Sequence, residues 1–442
     1  MAARVPLIRI PVSVAGMVLT TISAALFIVV LLADLFGLHT NPYRGLVFFL
    51  VLPALFVVGL LLIPFGAWLE RRRSAAGRPP TAFEWPRIDL NNRTHRTTAI
   101  AVFALTIVNV VIVALGAYKG VEYMDSAGFC GQVCHTPMQP QFVAHQLGPH
   151  AGVTCASCHV GSGAGSFLRA KLAGTRQLVA IMRNSYHRPI VAAPDDLVSS
   201  QITCAQCHAP RFHGDVVRQI TEYAEDEANT VSTTTVRLHV GGTLAGRASG
   251  IHWHADPKTV VEYIATGDQQ TIPWVKVTDS SGVREYTAPG AATDQKTRET
   301  PRRMDCTDCH NRPGHPAPAT AGQAVDRALA RGDIPATLPF VRREAVAVLA
   351  GSHSTEAAAL DAIARTLGER YPGNADADRA IGAVQDVYRR NVFPAMNVSF
   401  GTYPSNIGHT SAQGCFRCHD GEKVTKNGQT IGQDCETCHA IE

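Results

Sequence analysis

All 12 cysteines of this 442-residue chain stand in pairs, and every pair is closed by a histidine. Five pairs read C-x-x-C-H: Cys155/Cys158/His159, Cys204/Cys207/His208, Cys306/Cys309/His310, Cys415/Cys418/His419 and Cys435/Cys438/His439. The sixth, Cys130/Cys134/His135, carries one extra residue between its cysteines. Two thiols at this spacing reach the two vinyl groups of one porphyrin, and the adjacent histidine turns inward as an axial ligand to iron. Zinc knuckles and dithiol motifs do not require the trailing histidine. With only 18 histidines in the chain, chance does not place one after all six pairs. No cysteine is left over for a disulfide. The pattern therefore implies six covalently bound haem c groups, each holding iron.

Three stretches lack any charged residue: Ile10–Ala33, Gly45–Leu69 and Thr97–Tyr118. Each exceeds the roughly 20 residues that a helix needs to cross a bilayer. The first is too long for a signal peptide and is followed by no A-x-A-like cleavage site. Pro53 and Pro64 in the second are tolerated in membrane helices. The Glu70–Arg96 loop carries seven arginines, against one in the His39–Arg44 connection and Arg4 and Arg9 at the N-terminus. The positive-inside rule then puts the N-terminus and this loop in the cytoplasm, and all six motifs on the periplasmic side of the inner membrane. A net charge of +4 argues against nucleic acid as the main partner.

Motif spacing divides the chain. Residues 1–118 form a membrane domain, 119–215 a triple-haem region, 216–320 a mixed segment with the fourth motif, 321–405 a helical insert, and 406–442 a two-haem end. In the mixed segment, Asp256 and Pro257 predict a helix start with Val260, Val261 and Ile264 on its apolar face and Gly267 at its end. A hairpin is expected from Ile272–Thr278 and Val283–Thr287 around Ser280–Gly282. In the insert, Leu360, Ile363 and Leu367 repeat at helical spacing, as do Ile381, Val384 and Tyr388. The fold class expected is mainly α: three transmembrane helices, then a multihaem domain with little regular structure, a small β-hairpin and a helical insert.

Electron-transfer haems favour two protein ligands. Beyond the six motif histidines, His39 and His95, ten histidines remain. The favoured second ligands are His150, His187, His213, His254, His315 and His409. His150 and His409 stand five and six residues before the next haem cysteine. His252 competes with His254, His353 in the haem-free insert is read as structural, and His145 and His239 are left unassigned.

The segment Thr97–Arg211 resembles the NapC/NirT/NrfH group of membrane-anchored multihaem cytochromes. The resemblance rests on Phe129-Cys130…Cys134-His135-Thr136-Pro137-Met138 and on His150…Cys155-Ala156-Ser157-Cys158-His159. It implies a quinol dehydrogenase of anaerobic respiration, in which Met138 is an axial ligand of the first iron and His135 is displaced. A lysine and an acidic residue after the second motif serve the quinol site in that group, which makes Lys171 a candidate. Six motifs and three spans make this chain an enlarged relative, similar to inner-membrane cytochromes of metal-respiring bacteria.

The residues support quinol entry independently. Cys130 stands 12 residues past Tyr118, so a continued helix puts the first haem within roughly 18 Å of the membrane surface. Glu122 and Asp125 lie between them as proton acceptors. The leading reading is electron transfer from membrane quinol along the haems to a periplasmic redox protein. The alternative is a non-catalytic relay subunit of a larger respiratory complex. A terminal reductase is disfavoured, because histidines are plentiful and no C-x-x-C-K motif marks a substrate haem. Mass spectrometry of the mature chain should find six haem additions and no free thiol; five additions with Cys130 and Cys134 unmodified would refute the reading of the longer motif.

Overall fold

The computed structural model describes residues 10–35, 52–76, 89–160, 164–190, 198–208, 214–244, 247–266, 269–291, 301–410 and 412–442. The chain divides into two compact units, Met1–Val133 and Cys134–Glu442.

The first unit contains three helices long and apolar enough to cross a membrane: α1 (Pro11–Leu35), α2 (Leu52–Ala75) and α3 (Arg93–Asp125). α3 starts where the Asn92 side chain accepts a hydrogen bond from the Thr94 amide, so one of the orphan donors of its first turn is satisfied. At 33 residues α3 outruns a bilayer and carries its C-terminal end beyond the apolar core. α1 and α2 pack together through small residues. A Cβ added at Gly59 would stand 2.4 Å from Thr20 Oγ1 and 2.8 Å from Gly16 O, and one at Gly66 would stand 2.4 Å from Ser13 Oγ. The Ser13 hydroxyl also donates to Ile63 O at 2.9 Å. In lipid the helices gain nothing from hiding apolar surface, so close backbone approach and interhelical hydrogen bonds hold the pair.

The second unit is helix-rich with three small antiparallel sheets. Its first helices are α4 (His135–Gln146) and α5 (Ala164–Met182). Strands β1 (Val216–Tyr223) and β2 (Val231–Leu238) form a hairpin that β9 (His439–Ile441) extends. β3 (Gly242–Leu244) pairs with β4 (Arg247–Ser249). The largest sheet has the order β7-β6-β5-β8, with β5 at Val260–Ile264, β6 at Trp274–Asp279, β7 at Gly282–Thr287 and β8 at Arg302–Arg303. β6 and β7 are the expected hairpin. Its turn centres on Ser280 and Ser281, closed by Gly282 at φ 114°, and Asp279 accepts from the Ser281 amide.

The helix expected from Asp256 is a strand. Val261 and Tyr263 are 4% and 0% exposed and alternate with half-buried Val260, Glu262 and Ile264. Period-2 burial and β-branched side chains win over a helical start, because the apolar run is too short for three helical turns. Asp256 spends its carboxylate on the Lys258 amide, a local turn. Gly267 lies outside the described residues.

The insert comprises α6 (Ala321–Ala330), α7 (Val341–Leu349), α8 (Glu356–Arg370) and α9 (Ala377–Asn391). Ile363, Leu367, Val384 and Tyr388, read from helical spacing, sit in its core with Val325, Val341 and Ala359. The turn of the β1–β2 hairpin is stitched to the insert: Asn229 Nδ2 donates to Leu338 O at 2.8 Å and its Oδ1 accepts from the Arg342 amide at 3.0 Å.

Gly59→Leu should wedge α1 from α2 at a cost of about 1–3 kcal/mol. An enlargement at lipid-facing Leu61 (63% exposed), Leu61→Phe, should be silent. Thermal unfolding in detergent compares the two, and equal midpoints would contradict the small-residue interface.

Candidate haem-binding sites

Each C-x-x-C-H motif forms one short helical turn. The motif of Cys155 is capped by Thr154, whose hydroxyl accepts from the Ser157 amide, and that of Cys435 by Asp434, whose side chain accepts from the Glu436 amide. A single turn puts both cysteines on one side with the histidine beside them. In the first motif, Cys130 lies in a π-helical turn, Phe129–Val133, and Cys134 immediately precedes α4. The extra residue in this motif is accommodated by the wider π-turn.

Two imidazoles that share one metal through nitrogens about 2 Å from it place their ring centres roughly 6 Å apart. Five motif histidines each meet a second imidazole at that separation. His208 faces His150 at 5.9 Å, His419 faces His254 at 5.9 Å, and His439 faces His409 at 6.0 Å. His159 faces His315 at 6.1 Å and His310 faces His252 at 6.4 Å. The partner always comes from elsewhere in the chain, so every pair joins segments remote in sequence.

Hydrogen bonds orient these rings. Nδ1 of His150 donates to Pro313 O at 3.0 Å, of His315 to Gln141 O at 3.0 Å, of His254 to Ile251 O at 2.9 Å and of His419 to Gly432 O at 2.6 Å. A proton fixed on Nδ1 leaves the Nε2 lone pair for a metal. Burial lowers the pKa of His159, His254 and His310, and takes that of His315 to about 4, so these rings are neutral at pH 7. Neutral imidazoles facing each other across a metal-sized gap fit haem ligation.

The remaining histidines are engaged otherwise. His145 lies 6.2 Å from His315, but its Nε2 donates to Val153 O and its Nδ1 accepts from Gln146. His239 pairs with Asp215 at 3.1 Å. His353 packs against Tyr388 within the insert. His187 is exposed and meets no second imidazole among the described residues. His213 lies outside them, as do the side chains of His135 and Lys171. Met138 is half-buried on the first turn of α4, its amide donating to Cys134 O at 3.0 Å. Glu122 forms a 2.7 Å ion pair with Lys119, and Asp125 is the last residue of α3.

His252 was legible only as a competitor of His254. The Gly250–Asp256 turn uses both. Residues two apart in a 3₁₀ turn point about 120° apart, so His252 and His254 serve different partners. The turn requires glycine at 250: its φ is 64°, and a Cβ would stand 2.3 Å from His239 O.

The sites follow one another in space. The thiol of Cys158 is close enough to feel the charge of Cys204 and Cys207, and His310 that of His208. Cys309 is likewise coupled to Cys415 and Cys418, and Cys438 to Cys415. The fourth and fifth motifs are fastened by their inner residues. The Asp308 carboxylate, 4% exposed, accepts from Tyr263 Oη at 2.6 Å, Arg302 Nε at 2.8 Å and the Asp305 amide at 2.6 Å. Its carbonyl accepts from Arg417 at 2.7 Å and from Asn406 at 2.9 Å. Burial, and then the charge of Asp308, raises the pKa of Tyr263, which therefore stays a donor.

Asp308→Ala should leave the Arg302 guanidinium and Tyr263 hydroxyl without their acceptor, at a cost of about 3–5 kcal/mol; Asp308→Asn should cost less. A thermal melt of the three forms checks the ranking, and an unchanged midpoint for Asp308→Ala would contradict it.

The chain is 36% identical, over 98% of its length and 87% of the relative's, to the cytochrome c-type protein ImcH of Geobacter sulfurreducens. No family model matches it, and no solved structure does.

Proposed function

Because the chain belongs to the same family of membrane-anchored, NapC/NirT/NrfH-type c-type cytochromes as ImcH, we propose that it is a six-haem quinol dehydrogenase. It takes electrons from the membrane quinol pool and passes them to a redox protein in the periplasm. The observation that carries this reading is the continuity of α3 with the first motif: the helix ends at Asp125, and Cys130 follows five residues later. No other motif in the sequence lies so near a membrane span.

Covalent haem supplies a one-electron couple at each site. The residues of the chain hold and order those sites. His150 with His208, His252 with His310, His254 with His419, His315 with His159 and His409 with His439 would hold five of the irons, and Met138 would help to hold the first. Quinol releases two protons with its two electrons. Glu122 and Asp125 stand on the last turn of α3 as acceptors for them, with Lys171 as the third candidate. Glu122 is held at the membrane-proximal end of the chain's long helix by its 2.7 Å ion pair with Lys119. The nearness of Cys158 to Cys204, His208 to His310, Cys309 to Cys415 and Cys415 to Cys438 supports transfer through the second to sixth sites in sequence order. The arginine-rich loop between α2 and α3 supports a cytoplasmic side opposite the haems.

Mixing the purified, haem-loaded chain with reduced quinol under anaerobic conditions should reduce its haems without any other subunit. No reduction would assign the chain to relay within a larger complex. Thioether ligation raises a haem potential above that of a bis-histidine centre, which favours accepting electrons from quinol. Met138→Leu should therefore slow quinol-driven reduction by roughly tenfold or more, while dithionite still reduces the other haems. An unchanged rate and spectrum would remove Met138 from the iron.

A further inference from the structure

From Ser126 to Pro194 the chain contains no acidic residue, and it carries five basic ones: Arg169, Lys171, Arg176, Arg183 and Arg188. The 19-residue helix α5 occupies the middle of this stretch. Most of its described side chains are exposed, including Leu172 at 60%, Val179 at 40% and Met182 at 80%. At about 100° per residue these three fall on one face, within roughly 80° of each other. Arg169, Arg176 and Arg183 recur every seven residues and are exposed. That spacing aligns them along one edge of the apolar stripe, on the same side throughout. Lys171 falls at the other edge of the stripe, and the opposite face carries the uncharged Ala173, Gly174 and Gln177, so the charge flanks the apolar stripe.

A lone helix of this length with an interior glycine is marginal in water, and its stability comes from whatever its apolar face meets. The charge pattern identifies that surface. A row of guanidiniums beside an apolar stripe, without one carboxylate, complements a bilayer bearing anionic headgroups: the aliphatic face enters the acyl boundary and the arginines reach the phosphates. An acidic protein partner would meet the arginines but would leave Leu172, Val179 and Met182 to find an apolar pocket as well. The chain is itself membrane-embedded, so a bilayer is always within reach of the soluble unit.

We infer that α5 lies in the interface of an anionic bilayer as a second, peripheral membrane contact beyond the three spans. It requires no quinol and holds whether or not quinol is the donor.

The test uses the full-length, haem-loaded protein in nanodiscs of phosphatidylethanolamine and phosphatidylglycerol. The photoreactive residue benzoylphenylalanine replaces Leu172 or Met182, with Val217 on the exposed β1 strand as the control. Illumination should give phospholipid adducts at positions 172 and 182 and none at 217. Adding Arg176→Glu and Arg183→Glu, or replacing phosphatidylglycerol by phosphatidylcholine, should lower the adduct yield, by roughly fivefold for each arginine removed. Haem absorption confirms folding in each sample. Adducts with peptides of this chain, or with a co-purified protein, would overturn the inference, as would a yield indifferent to lipid charge. Quinol-driven reduction measured on the same nanodiscs separates the two readings. Absent lipid adducts with normal reduction sink only this one, and the reverse sinks only the quinol assignment.

Discussion

The second unit is organised by imidazole pairs that bring distant segments to one point. His315 lies beyond the fourth motif and meets His159 of the second. His150 precedes the second motif and meets His208 of the third. His254 meets His419 across the whole insert. Iron held between the rings would make each pair a cross-link whose ends are coordinate bonds, and the two thioethers of the same haem would add a covalent anchor. Such links do for this region what a large hydrophobic core does elsewhere. The conventional core is instead concentrated in the insert and in the sheet around Tyr263, with a small cluster at Phe393, Met396 and Val398.

The order of these links has a functional consequence. Neighbouring motifs in sequence are neighbours in space, from Cys158 beside Cys204 to Cys438 beside Cys415. Arg417, between the cysteines of the fifth motif, reaches the carbonyl of Asp308, between those of the fourth. The two attachment turns are therefore held by a direct hydrogen bond rather than through intervening loops. Electron transfer depends steeply on separation, so a rigid fastening of this kind fixes a rate as well as a shape. Asp308 is in turn clamped by Tyr263 and Arg302 from the β5–β8 strands, which explains why a small sheet stands among the haem motifs.

Much of this was legible from residues alone. The cysteine–histidine motifs, the three apolar helices, the β6–β7 hairpin and the helical faces around Ile363 and Val384 all follow from local pattern. The failures were cases where a local signal met a non-local one. Asp256–Pro257 is a good helix start, but Val261 and Tyr263 needed the partners that β6 and β8 supply, and alternation prevailed. The β1–β2 hairpin carried no expectation because its strands are largely exposed and lack a clear apolar alternation. His252 and His254 looked like rivals because sequence shows adjacency and not direction; the turn at Gly250 sends them to different partners. His145, by contrast, is near the second site, yet both its nitrogens are taken, which only coordinates reveal.

The most direct test is the ligand set of each iron, read by near-infrared magnetic circular dichroism of the oxidised, full-length protein. Five centres should show bis-histidine signatures and one, at Cys130, a histidine–methionine or methionine-ligated signature. Removing His252 should abolish one bis-histidine signal, and removing His145 should abolish none. A spectrum with fewer than five bis-histidine centres, or one unmoved by His252→Ala, would contradict the pairing on which this description of the molecule rests.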